Sequence, residues 1–203
     1  MTTPPITDEL KEMQRRAYAE GLPIIRPDTV RALLGLLTRH RPLTILELGC
    51  AVGFSAAFFA EVLPMSKITT IDRYPLMIKA ARANFEHLNL ADRIELLEGD
   101  GLALLSRLKE QGRSFDMVFL DAAKGQYVKF YKLCKCLLRK DGLFIADDVL
   151  QGGMLSLPIE QVEKRQRTTY HNMREFINLA LNDDEMRAEV IEVGDGPLVG
   201  VRL

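Results

Sequence analysis

Acidic side chains stand where several apolar runs of the chain end. Glu47 lies within Ile45-Leu-Glu-Leu-Gly-Cys-Ala-Val-Gly53, Asp72 closes Thr69-Thr-Ile-Asp72, and Asp100 sits in Glu98-Gly-Asp-Gly101. If those runs are parallel strands, the acids gather at the carboxyl edge of one sheet, where open α/β folds bind their ligands. Gly49 and Gly53 permit tight turns and let a ligand approach the backbone. The dinucleotide pattern GxGxxG is absent, and a carboxylate at Glu47 would repel a pyrophosphate while suiting a cation. Asp72, nineteen residues after Gly53, stands at a spacing suited to both ribose hydroxyls, and Asp100 could accept an adenine amino group. Each Asp alone reads equally as a helix cap or a solvated turn residue. Together they point to a nucleoside that carries positive charge and no phosphate, which is S-adenosylmethionine.

A second group of acids follows. Asp121 ends Phe119-Leu-Asp, and Asp147 and Asp148 end Ile145-Ala-Asp-Asp. On neighbouring strands the three would lie close together, and like charges in a small space repel unless a cation joins them. Carboxylate oxygens are hard ligands that favour Mg²⁺, Mn²⁺ or Ca²⁺ over Zn²⁺. Asp147 and Asp148 could also merely cap the turn after them.

The elements that must position these groups are legible as alternation. Residues 8–20 and 28–40 form an N-terminal helical segment within 1–40. Strands are expected at Leu43–Leu48, Lys67–Ile71, Arg93–Glu98, Met117–Leu120 and Leu143–Ala146. Helices fall between them at Phe54–Leu63, Leu76–Leu88, 102–109 and 125–138. Thr169–Leu181 is a further helix, and Met186–Val193 with Leu198–Leu203 flank Gly194-Asp-Gly196 as a hairpin. The expectation is one α/β domain over 1–203. It has a doubly wound, mostly parallel seven-stranded sheet, helices on both faces and a C-terminal antiparallel hairpin. The irregular stretch 147–166 reads as an active-site loop.

Composition excludes several classes. With 203 residues, 47% of them hydrophobic, the chain can build one sizeable core. Lys and Arg number 27 against 28 Asp and Glu, so it is neither a disordered polyelectrolyte nor globally basic. Cys50, Cys134 and Cys136 lack the spacing of a disulfide framework or a zinc site. The segment MTTPPITDELKEMQRR has no signal-peptide core, and no run approaches a membrane span of about 20 apolar residues. A soluble protein of a reducing cytoplasm, with no membrane partner, is expected.

The motifs ILELGCAVGFS (45–55), TTIDRYP (69–75), LLEGDG (96–101), FLDAAKGQY (119–127) and IADDVLQGG (145–153) resemble the class I S-adenosylmethionine-dependent methyltransferases. More narrowly, they resemble the metal-dependent O-methyltransferases of the catechol and caffeoyl-CoA type. The resemblance covers the chain from about residue 20. It implies a Rossmann-like fold and a cofactor lined by Glu47, Gly49, Ser55, Asp72, Asp100, Gly101 and Asp121. It further implies a divalent ion such as Mg²⁺ on Asp121, Asp147 and Asp148, and a homodimer. Lys124 matches the family's general base in Asp-x-x-Lys; near a cation its ammonium pKa should fall. One departure is Asp147-Asp148, where the family pattern has Asp-Asn. The extra carboxylate either leaves the site anionic or places Asp148 behind the metal's direct ligands.

The acceptor hydroxyl is the least determined part. Small-molecule members should sandwich a flat ring between apolar and aromatic loop residues, yet residues 151–167 contain no aromatic side chain. That loop ends in Lys164, Arg165 and Arg167, and Arg26 lies in the N-terminal segment; all four could meet phosphates, or form an ordinary solvated face. GLPIIRPDTVRALLGLL (21–37), DAAKGQY (121–127), RQRTTYHNMREF (165–176) and the ending GDGPLVGVRL are similar to a bacterial subgroup containing the tRNA 5-hydroxyuridine methyltransferases. This implies tRNA as substrate, with the wobble base splayed out to reach the metal. Alternatives are a small phenolic, catechol-like substrate, and a non-catalytic S-adenosylmethionine- or RNA-binding protein.

Overall fold

A computed structural model describes residues 6–194 and 196–203. Its helices are α1 (Asp8–Ala19), α2 (Pro27–His40), α3 (Phe54–Val62), α4 (Pro75–His87), α5 (Gly101–Glu110), α6 (Tyr127–Leu137) and α7 (Arg167–Leu181). Its strands are β1 (Thr44–Leu48), β2 (Lys67–Asp72), β3 (Ile94–Glu98), β4 (Phe115–Leu120), β5 (Leu138–Ala146), β6 (Met186–Val190) and β7 (Leu198–Arg202). They form one seven-stranded sheet in the order β3-β2-β1-β4-β5-β7-β6. β1 to β5 pair in parallel, and β7 runs antiparallel to both β5 and β6. The hairpin therefore enters the sheet through its second strand. Gly194 and Gly196 both adopt positive φ in its turn; Asp195 and the first five residues of the expected N-terminal segment lie outside the described residues.

The period-2 alternation of strand side chains divides the core in two. Ile45, Met117, Phe119, Leu143 and Ile145 pack on one face with α1 to α4. Leu46, Leu48, Val118, Leu120 and Phe144 pack on the other with α5, α6 and α7. α3 is buried almost all round, as a helix lacking a polar stripe must be; Phe59 meets Phe119 edge-on at 5.1 Å between centroids.

Two expected boundaries move. β5 begins at Leu138, five residues before the run Leu143–Ala146, because a register shift against β4 lets Phe115 pair with Leu138 while Asp141 turns through φ 60°. Residues 147–166 are not structureless: 3₁₀ turns at Gln151–Ser156, Ile159–Gln161 and Lys164–Gln166 fold them, with Gly152 and Gly153 at positive φ. No helix among the described residues is long and apolar enough to cross a membrane.

At the carboxyl edge the hydrogen-bond ladder runs past the strands into the loops. Gly49 N–H donates to the Ile71 carbonyl at 2.9 Å, Asp121 N–H to Leu48 at 2.8 Å, Asp147 N–H to Leu120 at 3.0 Å and Gly99 N–H to Asp72 at 2.9 Å. Gly49 has φ 93°, and a Cβ there would lie 1.8 Å from the Asp121 carbonyl oxygen. Only glycine satisfies both constraints.

Glu47 corrects an expectation. It points from β1 into the first core face, fully buried, and does not line the cavity described below. Thr70 Oγ1 donates to its carboxyl at 2.5 Å. Burial pushes its pKa up to about 7 against the opposing pull of the Ser55 and Thr70 hydroxyls, and Asp121 and Asp72 add to the rise.

Two outcomes follow from these contacts. Gly49→Ala should destabilise the fold by about 3 kcal/mol or more through overpacking and left-handed strain, whereas Gly35→Ala, with open space around it in α2, should stabilise it by about 0.5–1 kcal/mol; urea midpoints measure both. The raised Glu47 pKa means the folded state holds a proton that the unfolded chain releases first. Stability from this group is thus full below pH 4.5 and lost as pH rises towards 7, by on the order of 3 kcal/mol. The Glu47→Gln variant should gain that much on the parent between pH 4.5 and 8, and parallel pH curves would contradict the assignment.

Candidate active site

A cavity of about 650 Å³ opens over the carboxyl ends of β1, β2 and β4, within the usual range for a small-molecule site. Gly49, Ser55, Asp72, Asp100, Gly101, Asp121, Lys124 and Asp148 all line it. Glu47 and Asp147 do not. The cavity's apolar walls include Ile24, Ile25, Ile71 and Phe130; Phe130 closes on Gly101, where a Cβ would meet its ring at 2.9 Å.

The Asp72 carboxylate is already engaged. Oδ2 accepts from the backbone N–H of Cys50 and Ala51 at 3.0 and 2.9 Å, and Oδ1 from those of Arg73 and Tyr74 at 2.7 and 2.9 Å. Four donors on one carboxylate shape the glycine loop against the end of β2. Asp72 thus builds the wall of the cavity, with ribose contact left to whatever capacity those bonds spare. Asp100 caps α5 by accepting from Ala103 N–H at 3.0 Å while still lining the cavity, so the capping and binding readings coexist.

Lys124 is the hub of the second acid group. It sits in a 3₁₀ turn, Lys124–Gln126, that links β4 to α6. Nζ donates to Asp121 Oδ1 at 3.0 Å, to the Asp147 main-chain carbonyl at 2.9 Å and to Tyr127 Oη at 2.7 Å, and lies 3.9 Å from Asp148 Oδ2. Tyr127 in turn donates to the Leu120 carbonyl at 3.1 Å. Only 17% of the Lys124 side chain is exposed, so it is no ordinary surface lysine. Burial pushes its pKa down, but Tyr127, Asp121 and Asp148 outweigh that and hold the ammonium charged. The ammonium thus serves as a counter-charge that these acids surround.

The three-acid metal site is not assembled as expected. Among the described residues no three His, Cys, Asp or Glu side chains are grouped so as to hold a metal. Asp147 is buried and contributes its carbonyl to Lys124, so of these three acids only Asp121 and Asp148 line the cavity. Asp148 has φ 48°, a left-handed conformation that Asn and Asp tolerate better than other residues with side chains. The conformation suits Asp148 and the Asn of the resembled pattern alike. Gln151 donates to its carboxylate and, at 2.6 Å, to its carbonyl. The donor set on this wall, carboxylates beside a main-chain carbonyl, has the hard-oxygen chemistry of a divalent cation site.

Sequence reasoning missed two contributors. Tyr127, three residues after Lys124, is placed to hold that ammonium. Gln151, three residues after Asp148, was read as loop. Of the basic residues, Arg26 is exposed beside the cavity-lining Ile25, and Lys164 is exposed. Arg165 pairs with Glu163 at 2.7 Å, and Arg167 Nε donates to the Val162 carbonyl at 3.1 Å.

Comparison with known proteins follows the same lines. Residues 2–203 match the family model described as O-methyltransferase. A catechol O-methyltransferase of Niastella koreensis is 30% identical over 137 residues, which make up 66% of this chain and 62% of that enzyme. The match therefore spans about three fifths of that relative's length. A caffeoyl-CoA O-methyltransferase of Stellaria longipes is 24% identical over 196 residues, 94% of this chain and 81% of its own. An O-methyltransferase from Bacillus cereus in complex with SAH superposes with a TM-score of 0.84 at 24% identity, covering 98% of this chain and 92% of that one; the likeness speaks to the fold, which is that of the class I methyltransferases. By its sequence over nearly its whole length, this chain belongs to the O-methyltransferase family.

Proposed function

We propose that the chain is an S-adenosylmethionine-dependent, divalent-cation-dependent O-methyltransferase whose acceptor is the hydroxyl of 5-hydroxyuridine in tRNA, at the wobble position, giving 5-methoxyuridine. The observation that carries the transferase reading is the cavity that joins the Gly49 loop and Asp100 to the Asp121–Lys124–Asp148 group on one continuous wall. Gly49, Ser55, Asp72, Asp100 and Gly101 would hold the cofactor, which supplies a methyl on a sulfonium for transfer to a substrate oxygen, with the thioether as leaving group. Its positive charge suits a pocket lined by carboxylates. A divalent cation at Asp121 and Asp148, with Asp147 behind them, would acidify the substrate hydroxyl and relieve these acids of their need for the Lys124 ammonium.

The chain's own groups then have defined tasks. Asp121 orients Lys124, Tyr127 Oη accepts from the same ammonium, and, once that ammonium has released a proton to solvent, the neutral Nζ accepts the substrate hydroxyl's proton. Most of the remaining acceleration is positioning of oxygen and methyl in line.

Three features support an RNA acceptor. The loop 151–167 contains no aromatic residue to sandwich a small ring, Arg26 and Lys164 are exposed on elements at the cavity's edge of the sheet, and the sequence is similar to the tRNA-modifying subgroup. A catechol-like acceptor is the second reading, favoured by the Niastella relative.

Mass spectrometry of tRNA with and without 5-hydroxyuridine should find one methyl gained on 5-hydroxyuridine alone, abolished by EDTA and restored by Mg²⁺. Turnover of catechols with none on tRNA would keep the chemistry and overturn the acceptor; EDTA-resistant turnover would overturn the cation. The Lys124→Ala variant should lose about 10²-fold or more in kcat, with SAH affinity far less affected.

A further inference from the structure

The elements beside the active site carry a run of basic side chains that the transfer reaction does not use. α6 contains Lys129, Lys132 and Lys135 and no acidic residue. Lys135 is neutralised by Asp183 and Glu185 at 2.9 and 2.5 Å. Lys129 and Lys132 are exposed, as is Lys140 just past the helix, and among the described residues none of the three makes an ion pair. A solvated helix face ordinarily mixes both signs; this one does not.

The direction of α6 gives the run its meaning. The helix begins beside Gln126, which lines the active-site cavity, and its 11 residues carry it about 16 Å to the amino-terminal edge of the sheet. There a notch of about 250 Å³ is lined by His40, Arg41, Arg139 and Lys140, with Asp116 and Asp141. Asp116 is spent within the protein. It accepts from Leu43 and Thr44 N–H at 3.0 and 2.8 Å, from Thr44 Oγ1 at 2.9 Å and from Arg139 at 2.6 Å. At the other end, Asn172 of α7 donates to the Gly125 carbonyl at 3.4 Å, joining the start of α6 to the helix that begins at Arg167. Exposed basic side chains thus stand on α6 at Lys129 and Lys132 and, past its end, at Lys140 beside the notch.

We propose that the outer face of α6 and the notch at its far end bind the phosphate backbone of the RNA acceptor while its modified base occupies the cavity. The inference rests on the tRNA reading above. Lys129, Lys132 and Lys140 act as point charges on phosphates, carrying affinity and register and no base recognition.

The test compares the parent with a Lys129→Ala/Lys132→Ala/Lys140→Ala variant in tRNA binding and methylation across a salt series. The variant should bind tRNA at least tenfold more weakly at low salt. Its slope of log affinity against log salt should be shallower by about 2 to 3, for three lost phosphate contacts. KM for tRNA should rise while SAH affinity and turnover of free 5-hydroxyuridine stay unchanged, and the corresponding triple Lys→Arg variant should restore tRNA binding. A parent that binds tRNA, beside a triple-alanine variant with equal affinity and equal slope, would overturn the α6 docking face and leave the acceptor standing. A parent that does not bind tRNA at any salt would overturn both.

Discussion

The active site depends on one close approach: the Cα of Gly49 against the carbonyl of Asp121. Because β1 lies between β2 and β4, the loop leaving it must turn away without separating its neighbours, and the ladder bonds from Gly49 to Ile71 and from Asp121 to Leu48 hold it there. With no room for a Cβ, Gly49 lets the cofactor wall and the Asp121 wall share an edge. The two halves of the cavity, one suited to a nucleoside and one to a cation, are contiguous for that reason.

The second organising fact is electrostatic. Asp121 and Asp148 converge with the Asp147 carbonyl at one place, and Lys124 fills it. An ammonium and a hard metal ion answer the same need, so under the proposed function a divalent cation would compete with the lysine for these oxygens. Under that proposal Lys124 would accept a proton only after its ammonium had ceased to be the counter-charge. This links the two roles physically: the charge that occupies the acids also decides the protonation state of the amine beside them.

How much of this was legible in the sequence depended on whether the signal was periodic or geometric. Alternating apolar runs placed every strand, and the acids at their ends marked the catalytic edge, because both follow from backbone direction alone. The start of β5 was missed because Arg139, Lys140 and Asp141 break the apolar run where the register shifts. Glu47 was expected to line the cavity; the strand's two-residue period puts it on the face of Ile45, beneath α3, and sequence spacing does not report which neighbours cover it. Asp72 was assigned to the cofactor without regard to the loop's own unpaired N–H groups, four of which reach it first. Tyr127 and Gln151 lacked any signal beyond their i+3 spacing from Lys124 and Asp148, a spacing that becomes meaningful only once the turn is known.

Net charge conceals a further point about partners. A chain with one excess acid gives no global basic signal, yet its ion pairs are unevenly distributed. Glu95, Glu98 and Asp116 are matched by Arg113, Arg82 and Arg139, and Asp183 and Glu185 consume Lys135, so much of the acidic complement on and around the sheet is internally satisfied. The lysines left on the outside of α6 have no such partners among the described residues. Exposed pairs contribute little stability, so their arrangement matters less for holding the fold than for the field it leaves at the surface. The sum over the chain is near neutral, but along α6, which runs from the cavity to the opposite edge, it is positive, and a polyanion responds to that local field within a Debye length of about 8–10 Å.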